Sequence, residues 1–160
     1  MNYIQDPMEI ERGSFRIIAT EIVESGRAFP RPDVRFNALI ESIITRAIHT
    51  SADFDYLDNL KIDIAFLERV QAVLDAGTPV TIYTDTNMAL SGINKKALQQ
   101  VGWRVHCYVA DPEVAALAKE QQMTRSMAAV DKALSEPGAK LFVFGNAPTA
   151  IFRLLEKMTA

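Results

Sequence analysis

A histidine at the end of a predicted helix is the residue of this sequence best suited to acid–base chemistry. His49 lies in the run Arg46-Ala47-Ile48-His49-Thr50-Ser51. A helix C-terminus carries partial negative charge, which favours the imidazolium form, and Asp53 and Asp55 just beyond favour the same form. An imidazolium near neutral pH is a competent general acid. The alternative is that His49 only bonds to the last helix carbonyls.

Polar residues after predicted strands form a second group of candidates. They are the stretches Thr84-Asp85-Thr86-Asn87-Met88 and Gly145-Asn146-Ala147-Pro148-Thr149. Parallel α/β sheets place their sites beyond the carboxyl ends of the strands. Each stretch enters a possible helix start, where free backbone N–H groups bind anions. Ordinary helix capping is the alternative for both.

A third candidate is the stretch Thr124-Arg125-Ser126, which opens another predicted helix. An arginine there can bind a carboxylate through two parallel hydrogen bonds. A solvated surface arginine is the alternative.

Other reactive side chains give weaker signals. His106 and Cys107 are adjacent on a predicted strand, so their side chains point to opposite faces and do not share a metal. The single cysteine permits no internal disulfide. The sequence contains no glycine-rich phosphate loop, serine elbow or metal-spaced cluster. We therefore expect no metal site.

Composition limits the class of protein. With 160 residues, 49% of them hydrophobic, the chain can bury one sizeable core, and we expect a single domain over residues 1–160. The net charge of −3 argues against a nucleic-acid partner. No apolar run approaches the length of a membrane span, and the N-terminus lacks a signal segment. Together with the single cysteine, this favours a cytoplasmic protein with no membrane partner.

An amphipathic helix must position His49. Apolar residues at i, i+3, i+4 and i+7 spacing precede it: Phe36, Leu39, Ile40, Ile43, Ile44 and Ala47. An earlier helix opens at Asp6-Pro7, ends near Ser25-Gly26 and has four inward-facing residues, Ile10, Ile17, Ile18 and Ile22. A third begins near Asp63 and ends at Gly77.

Strands and helices then alternate. Strands are predicted over 79–84, 104–109 and 140–145, and helices over 94–101, 111–122, 124–134 and 148–158. This order indicates an α/β fold in which helices flank a parallel sheet, preceded by an N-terminal helical segment.

These segments together resemble the precorrin-8X methylmutases (precorrin isomerases) of cobalamin biosynthesis. The matching stretches are Tyr3-Ile4 with Pro7 and Ile10, Ser14-Phe15, Ile18 to Glu21, Arg46 to His49, Thr84 to Met88 with Gly92-Ile93, Thr124 to Ser126, and Gly145 to Ala150. They occur in the family's order and cover almost the whole chain. The Asp85-Thr86-Asn87-Met88 and Asp53-Phe54-Asp55-Tyr56 variants are more similar to the anaerobic, cobalt-precorrin branch.

The resemblance implies a three-layer, flavodoxin-like fold and a cofactor-free isomerase. A methyl group migrates between adjacent ring C carbons of precorrin-8X or cobalt-precorrin-8, giving hydrogenobyrinate or cobyrinate. His49 aligns with the family histidine that is thought to protonate the ring. The resemblance also implies a homodimer whose active sites lie near the subunit interface of the family. The expected substrate-binding residues are Ser14, Arg16, Arg46, Thr84, Asp85, Met88, Thr124, Arg125, Ser126 and Asn146. Asp85 would orient a donor or accept a ring N–H, because it repels the substrate's carboxylates.

Two departures from the family pattern bear on this reading. Ala52 stands where the family usually has glycine, which predicts a differently shaped loop after His49. Family chains continue with two further strand–helix units, so the chain is expected to be a naturally short, truncated or engineered member. The strand 140–145 would then lie at a sheet edge with Leu141 to Phe144 exposed, and a second copy could cover it.

Two other functions remain open. One is a non-catalytic corrinoid-binding or carrier protein derived from this family. The other is a small flavodoxin-like signalling or nucleotide-binding module, although the sequence contains no acidic receiver cluster or phosphate loop.

Overall fold

The computed structural model describes residues 4–159, which form two compact units divided between Gln71 and Ala72. The first contains α1 (Pro7–Glu24), α2 (Asn37–Ser51), α3 (Tyr56–Asn59) and the start of α4 (Ile64–Asp75). The second contains β1 (Val80–Thr84), α5 (Asn87–Gly92), α6 (Lys95–Gln100), β2 (Arg104–His106), α7 (Pro112–Glu120), α8 (Arg125–Ser135), β3 (Ala139–Val143) and α9 (Pro148–Thr159). Tyr3, part of the resemblance, lies outside the described residues. The single-domain assignment stays a prediction.

The first unit is built on the contact between α1 and α2. Asp6 caps α1 as predicted, since its carboxylate accepts the backbone N–H groups of Met8 at 2.8 Å and Glu9 at 3.2 Å. The buried core consists of Ile18, Ile22, Phe36, Ile40, Ile44, Ile48, Leu57 and Leu67. This core holds α2, and with it His49, in place.

The predicted inward face of α1 is partly wrong. Ile18 and Ile22 are buried, but Ile10 is 47% and Ile17 is 60% exposed. The reason is angular: the buried face centres on the i, i+4 pair Ile18 and Ile22, and Ile17 points away from it.

The loop after His49 begins with a residue in the left-handed conformation. Ala52, the C-cap of α2, has φ 56° and ψ 22°, and its N–H donates to the Ile48 carbonyl at 2.7 Å. Glycine adopts this conformation without the steric cost that a Cβ imposes. The alanine therefore ends the helix in the same way as a glycine would, at some cost in stability.

The second unit has a three-stranded parallel sheet in the order β2-β1-β3. Tyr83 of β1 is in register with His106 of β2 and Phe142 of β3. Side chains on both faces of β1 are buried, as expected for a central parallel strand. The predicted α/β class with a parallel sheet flanked by helices is confirmed. β2 is shorter than predicted and ends at His106, before a turn that leads to Asp111, the N-cap of α7.

β3 pairs with β1 on one side, and within residues 4–159 no strand pairs with its other side. The residues from Leu141 to Phe144 are half-buried, not exposed as expected. Helix α8 packs against α9. These two helices are joined by an ion pair between Arg153 and Asp131, with Nε–Oδ1 2.9 Å and Nη2–Oδ2 2.7 Å. Among the described helices, none is long and apolar enough to cross a membrane.

Candidate active site

His49 lies in the last turn of α2, and its side chain is exposed. Its ring is in edge-to-face contact with the ring of Phe15 on α1, with centroids 5.4 Å apart and planes at 85°. Within residues 4–159 the imidazole makes no side-chain hydrogen bond and no ion pair. Both ring nitrogens are therefore available to a substrate.

Carbonyls near the end of α2 are bonded by residues other than His49. The hydroxyl of Thr50 donates to the carbonyl of Arg46 at 2.8 Å. The hydroxyl of Ser51 donates to the carbonyl of Ala47 at the same distance. The imidazole of His49 itself bonds no helix carbonyl within residues 4–159, which favours a chemical role over the capping alternative.

Three further candidate residues lie in the first unit. The Arg46 guanidinium binds Glu11 at 3.0 Å and lies 5.4 Å from the ring centroid of Phe15. Ser14 is half-buried and donates to the Ile10 carbonyl at 3.1 Å. Arg16 is exposed and has no ion-pair partner among residues 4–159. Arg16 is therefore free to bind an anion. An anion that binds Arg46 would have to displace the carboxylate of Glu11.

In the second unit, Asp85 joins the loops that follow β1 and β3. Its Oδ1 accepts the N–H of Gly145 at 2.8 Å, and its Oδ2 accepts those of Asn146 at 2.9 Å and Ala147 at 2.7 Å. The residue is 4% exposed. A Cβ on Gly145 would lie 3.4 Å from the Ala89 Cβ and 3.6 Å from Asp85 Oδ1, so the two loops approach closely here.

The electrostatics of Asp85 follow from this geometry. Burial alone would raise the pKa of its carboxyl, but the backbone N–H groups of Asn146, Gly145 and Ala147 hold that pKa below its usual range. An ionised Asp85 therefore occupies the three N–H groups. The expectation that backbone N–H groups near Gly145 bind a substrate anion is wrong for these three groups, because an internal carboxylate already binds them.

The remaining residues of the 84–88 stretch differ in exposure. Thr84 is buried, and its hydroxyl donates to the carbonyl of Thr86 at 3.1 Å. Thr86 in turn caps α5 by accepting the N–H of Ala89 at 3.1 Å. Met88 is 72% exposed. Ordinary capping, the alternative considered for this stretch, thus accounts for Thr86.

The stretch Thr124-Arg125-Ser126, at the start of α8, belongs to the second unit. Thr124 caps α8 by accepting the N–H of Met127 at 3.2 Å, and its hydroxyl lies 3.1 Å from that of Thr149. Arg125 is exposed and without an ion-pair partner in the described part of the chain. Ser126 lines a cleft with Thr84 and Asp85. The structure thus brings Thr84, Asp85 and Ser126 together.

That cleft has about 10 Å³ of space, room for roughly one water molecule. A ligand larger than a water molecule would therefore contact only the exposed rim of this cleft. Asn146 and Arg125 are both exposed. No group of three or more His, Cys, Asp or Glu residues within residues 4–159 is arranged to bind a metal ion.

The sequence matches the precorrin-8X methylmutase family over residues 9–160. The chain belongs to this family. A cobalt-precorrin-8 methylmutase from Salmonella typhimurium is 54% identical over 158 residues, 98% of this chain and 72% of the relative. A precorrin-8X methylmutase from Pseudomonas aeruginosa is 32% identical over 160 residues, 100% of this chain and 71% of the relative.

The solved structures agree with the family assignment. A precorrin-8X methylmutase from Thermus thermophilus matches with a TM-score of 0.72 and 31% identity, covering 95% of this chain and 68% of that one. The suspected precorrin-8X methylmutase family is thus confirmed, as is the enzyme class, since methylmutases are intramolecular transferases within the isomerases. The chain thus covers 72%, 71% and 68% of the lengths of these three relatives, each of which is longer than the matched region.

Sequence reasoning did not single out Phe15 or Glu11 as neighbours of the candidate acid. Phe15 belongs to a stretch that resembles the family, and Glu11 lies one helical turn before it. Their partners Arg46 and His49 are i, i+3 on the next helix, a spacing that places both on one face. The register between the two helices depends on tertiary packing, so no local pattern predicts it.

Proposed function

We propose that this chain catalyses the methyl migration of cobalamin biosynthesis within ring C of cobalt-precorrin-8 or precorrin-8X. The products would be cobyrinate and hydrogenobyrinate, respectively. One carbon–methyl bond breaks and another forms at the adjacent carbon, so substrate and product are isomers. The proposal rests on membership of the methylmutase family and on 54% identity to the Salmonella typhimurium relative named cobalt-precorrin-8 methylmutase. No cofactor is part of the proposal.

His49 is proposed as the general acid that protonates the corrin ring and so favours migration. The observation that carries this assignment is its exposed imidazole, which makes no side-chain hydrogen bond within residues 4–159. A capping role would need a hydrogen bond from the imidazole to a helix carbonyl, and the described part of the chain contains no such bond. It lies in the last turn of α2.

Arg16 and Arg125 are proposed to bind the acetate and propionate side chains of the substrate. Both are exposed arginines with no carboxylate partner in the described part of the chain, and a guanidinium binds a carboxylate with two parallel hydrogen bonds. Arg46 is a third candidate, and a substrate carboxylate would replace Glu11 there.

The other proposed substrate contacts are polar or flexible: Ser14, Thr84, Met88, Thr124, Ser126 and Asn146. For Asp85 we propose an indirect role, since its carboxylate is committed to the turn that carries Asn146.

The proposal includes a homodimer in the cytoplasm. Closed two-fold dimers are the commonest soluble assemblies, and the exposed apolar side chains of α9 offer one surface for association. The single cysteine is compatible with a reducing compartment.

The decisive experiment is to incubate the purified chain with cobalt-precorrin-8 and follow the visible spectrum, because methyl migration changes the chromophore. Conversion to cobyrinate is expected. Binding without conversion would instead support the corrinoid carrier, and neither binding nor conversion would contradict both functions. Repeating the assay with metal-free precorrin-8X distinguishes the two substrates.

A further inference from the structure

The ring of His49 is located by a hydrophobic contact and not by a hydrogen bond. Its described side-chain contact is the ring of Phe15, 5.4 Å away and nearly perpendicular. An exposed histidine near a helix end otherwise exchanges between rotamers. An acid that must meet one carbon of a large ring system loses rate when its geometry is loose. A residue that limits the imidazole to one orientation would therefore contribute to turnover.

Phe15 is itself held in place by a charged pair. The guanidinium of Arg46 lies 5.4 Å from the Phe15 ring centroid, a cation–π distance. The carboxylate of Glu11 binds that guanidinium at 3.0 Å. Glu11 precedes Phe15 by one turn of α1, and Arg46 precedes His49 by one turn of α2. Glu11 and Phe15 on α1 and Arg46 and His49 on α2 thus form one set of contacting side chains.

These four side chains contribute little to the stability of the first unit. Its core is the buried cluster described above, and Phe29 and Phe54 pack against that cluster. The ring contacts of Phe15 are instead to His49 and Arg46. The Arg46–Glu11 pair is 60% and 45% exposed, and such exposed pairs contribute little stability. The arrangement orients side chains more than it stabilises the fold.

We infer that Phe15 is a positioning residue for the proposed acid, holding the imidazole of His49 in one orientation while the guanidinium of Arg46 packs on the Phe15 ring. This inference rests on the proposed function for its effect on turnover, but the orientation of His49 can be measured without substrate. The set leaves the imidazole nitrogens free to meet the corrin.

Phe15→Leu tests the inference, with Phe15→Tyr as the variant that keeps the ring. Phe29→Leu is the matched control, since it makes the same change at a half-buried ring of the same unit. We expect Phe15→Leu to lower kcat roughly 10- to 100-fold, with KM changed less than about threefold. Phe15→Tyr and Phe29→Leu should stay within about threefold of the parent in kcat.

A second measurement needs no activity. His49 and His106 are the two histidines of the chain, so the side-chain couplings of His49 can be assigned by NMR with a His106→Gln variant. One χ1 rotamer is expected in the parent, Phe15→Tyr and Phe29→Leu proteins, and rotamer averaging in Phe15→Leu. If circular dichroism shows that Phe15→Leu is unfolded, Phe15→Met carries the same test.

The outcomes separate the two proposals. A single His49 rotamer in folded Phe15→Leu, or an unchanged kcat, would overturn the positioning role. If the parent shows no turnover, the proposed function is wrong, and if His49→Ala retains the parent rate, the acid role of His49 is wrong. In either case the rotamer measurement alone decides the structural claim about Phe15.

Discussion

Oδ1 of Asp85 lies 2.8 Å from the backbone nitrogen of Gly145, which comes 60 residues later in the chain. The other carboxylate oxygen accepts the next two N–H groups. One side chain thus ties the loop after β1 to the loop after β3. This contact defines the rim of the sheet where Asn146 and Ser126 also lie.

Asp85→Asn should destabilise the second unit. The amide has one acceptor oxygen, so its NH₂ group must face a backbone N–H that the carboxylate previously bonded. We expect a loss of about 2 kcal/mol in the free energy of unfolding, the usual cost of leaving buried polar groups unpaired. Urea denaturation measures it. Asp55→Asn is the control, since Asp55 is exposed. An equal loss in both variants would contradict the role of Asp85 in joining the two loops.

The same contact predicts a pH dependence. The folded-state pKa of Asp85 is lowered by the backbone donors, below the unfolded value of about 3.9. Its contribution is therefore present above about pH 4 and is lost as pH falls through the lowered folded-state pKa. The stability difference between the parent and Asp85→Asn should shrink between about pH 5 and the acid limit. A difference that is constant over this range would show that Asp85 is not titrating as described.

Ala52→Gly should stabilise the end of α2. Ala52 has φ 56°, where a Cβ costs roughly 1 kcal/mol that glycine avoids. Part of this gain is offset by the larger entropy of the unfolded glycine chain. We expect a net gain of about 0.5 kcal/mol in unfolding free energy, measured by thermal denaturation. Ala47→Gly, within the same helix, should instead destabilise by about 1 kcal/mol.

Local chemistry predicted most of the elements from sequence. Asp6-Pro7 and Asp111-Pro112 each place a carboxylate before a proline, and both carboxylates cap helices that begin where the sequence predicts. The strands were recognised from short β-branched runs because buried parallel strands are apolar on both faces. The exposed side of α1 was not predicted, since a run that includes Ile10, Ile17, Ile18 and Ile22 fits more than one inward face.

The site was predictable in its residue types but not in its pairings. His49 and the three polar stretches lie at the helix and strand ends that the sequence indicated. The capture of the 145–147 N–H groups by Asp85 was not predicted. It depends on how closely the loops after β1 and β3 approach, which is set by the register of a long-range parallel pair. No spacing within either loop carries that information.

His49→Ala should abolish methyl migration while leaving corrin binding nearly intact. A positioned general acid typically contributes at least roughly 100-fold to the rate, and the exposed imidazole adds little to the core. Turnover is followed by the visible spectrum, and binding by spectral titration. His106→Ala is the matched control, because His106 is also exposed but belongs to β2. A His49→Ala protein that isomerises at the parent rate would end the assignment.

Arg125→Lys should weaken corrin binding by about tenfold, equivalent to roughly 1.4 kcal/mol. Lysine keeps the charge but not the two-pronged geometry that matches a carboxylate. Arg104→Lys is the control, since Arg104 is an exposed arginine at the opposite, amino end of its strand. Affinity should also fall with added salt, because exposed charges are screened. Affinity indifferent to both salt and the Arg125 change would contradict carboxylate binding at this residue.

Self-association is expected, and α9 provides a surface on which to test it. Four of its apolar side chains are at least 41% exposed: Ile151, Phe152, Leu155 and Met158. Phe142 lies on β3, the strand expected at an exposed sheet edge, but its ring packs 5.7 Å from that of Tyr83. A charge there would damage the fold, so Phe142 is a poor target for testing association. Phe152→Lys places a charge on the exposed side of α9 instead.

Light scattering over a dilution series should show a species of twice the 17.8 kDa chain mass. A single monomeric species at high concentration would contradict self-association. If Phe152→Lys dissociates the dimer and leaves the circular dichroism spectrum unchanged, the interface includes α9. If the variant remains dimeric, the interface lies elsewhere, and the family interface or pairing at the free edge of β3 becomes the route to test. Thr159→Lys, a charge added at the end of the same helix, controls for net charge alone.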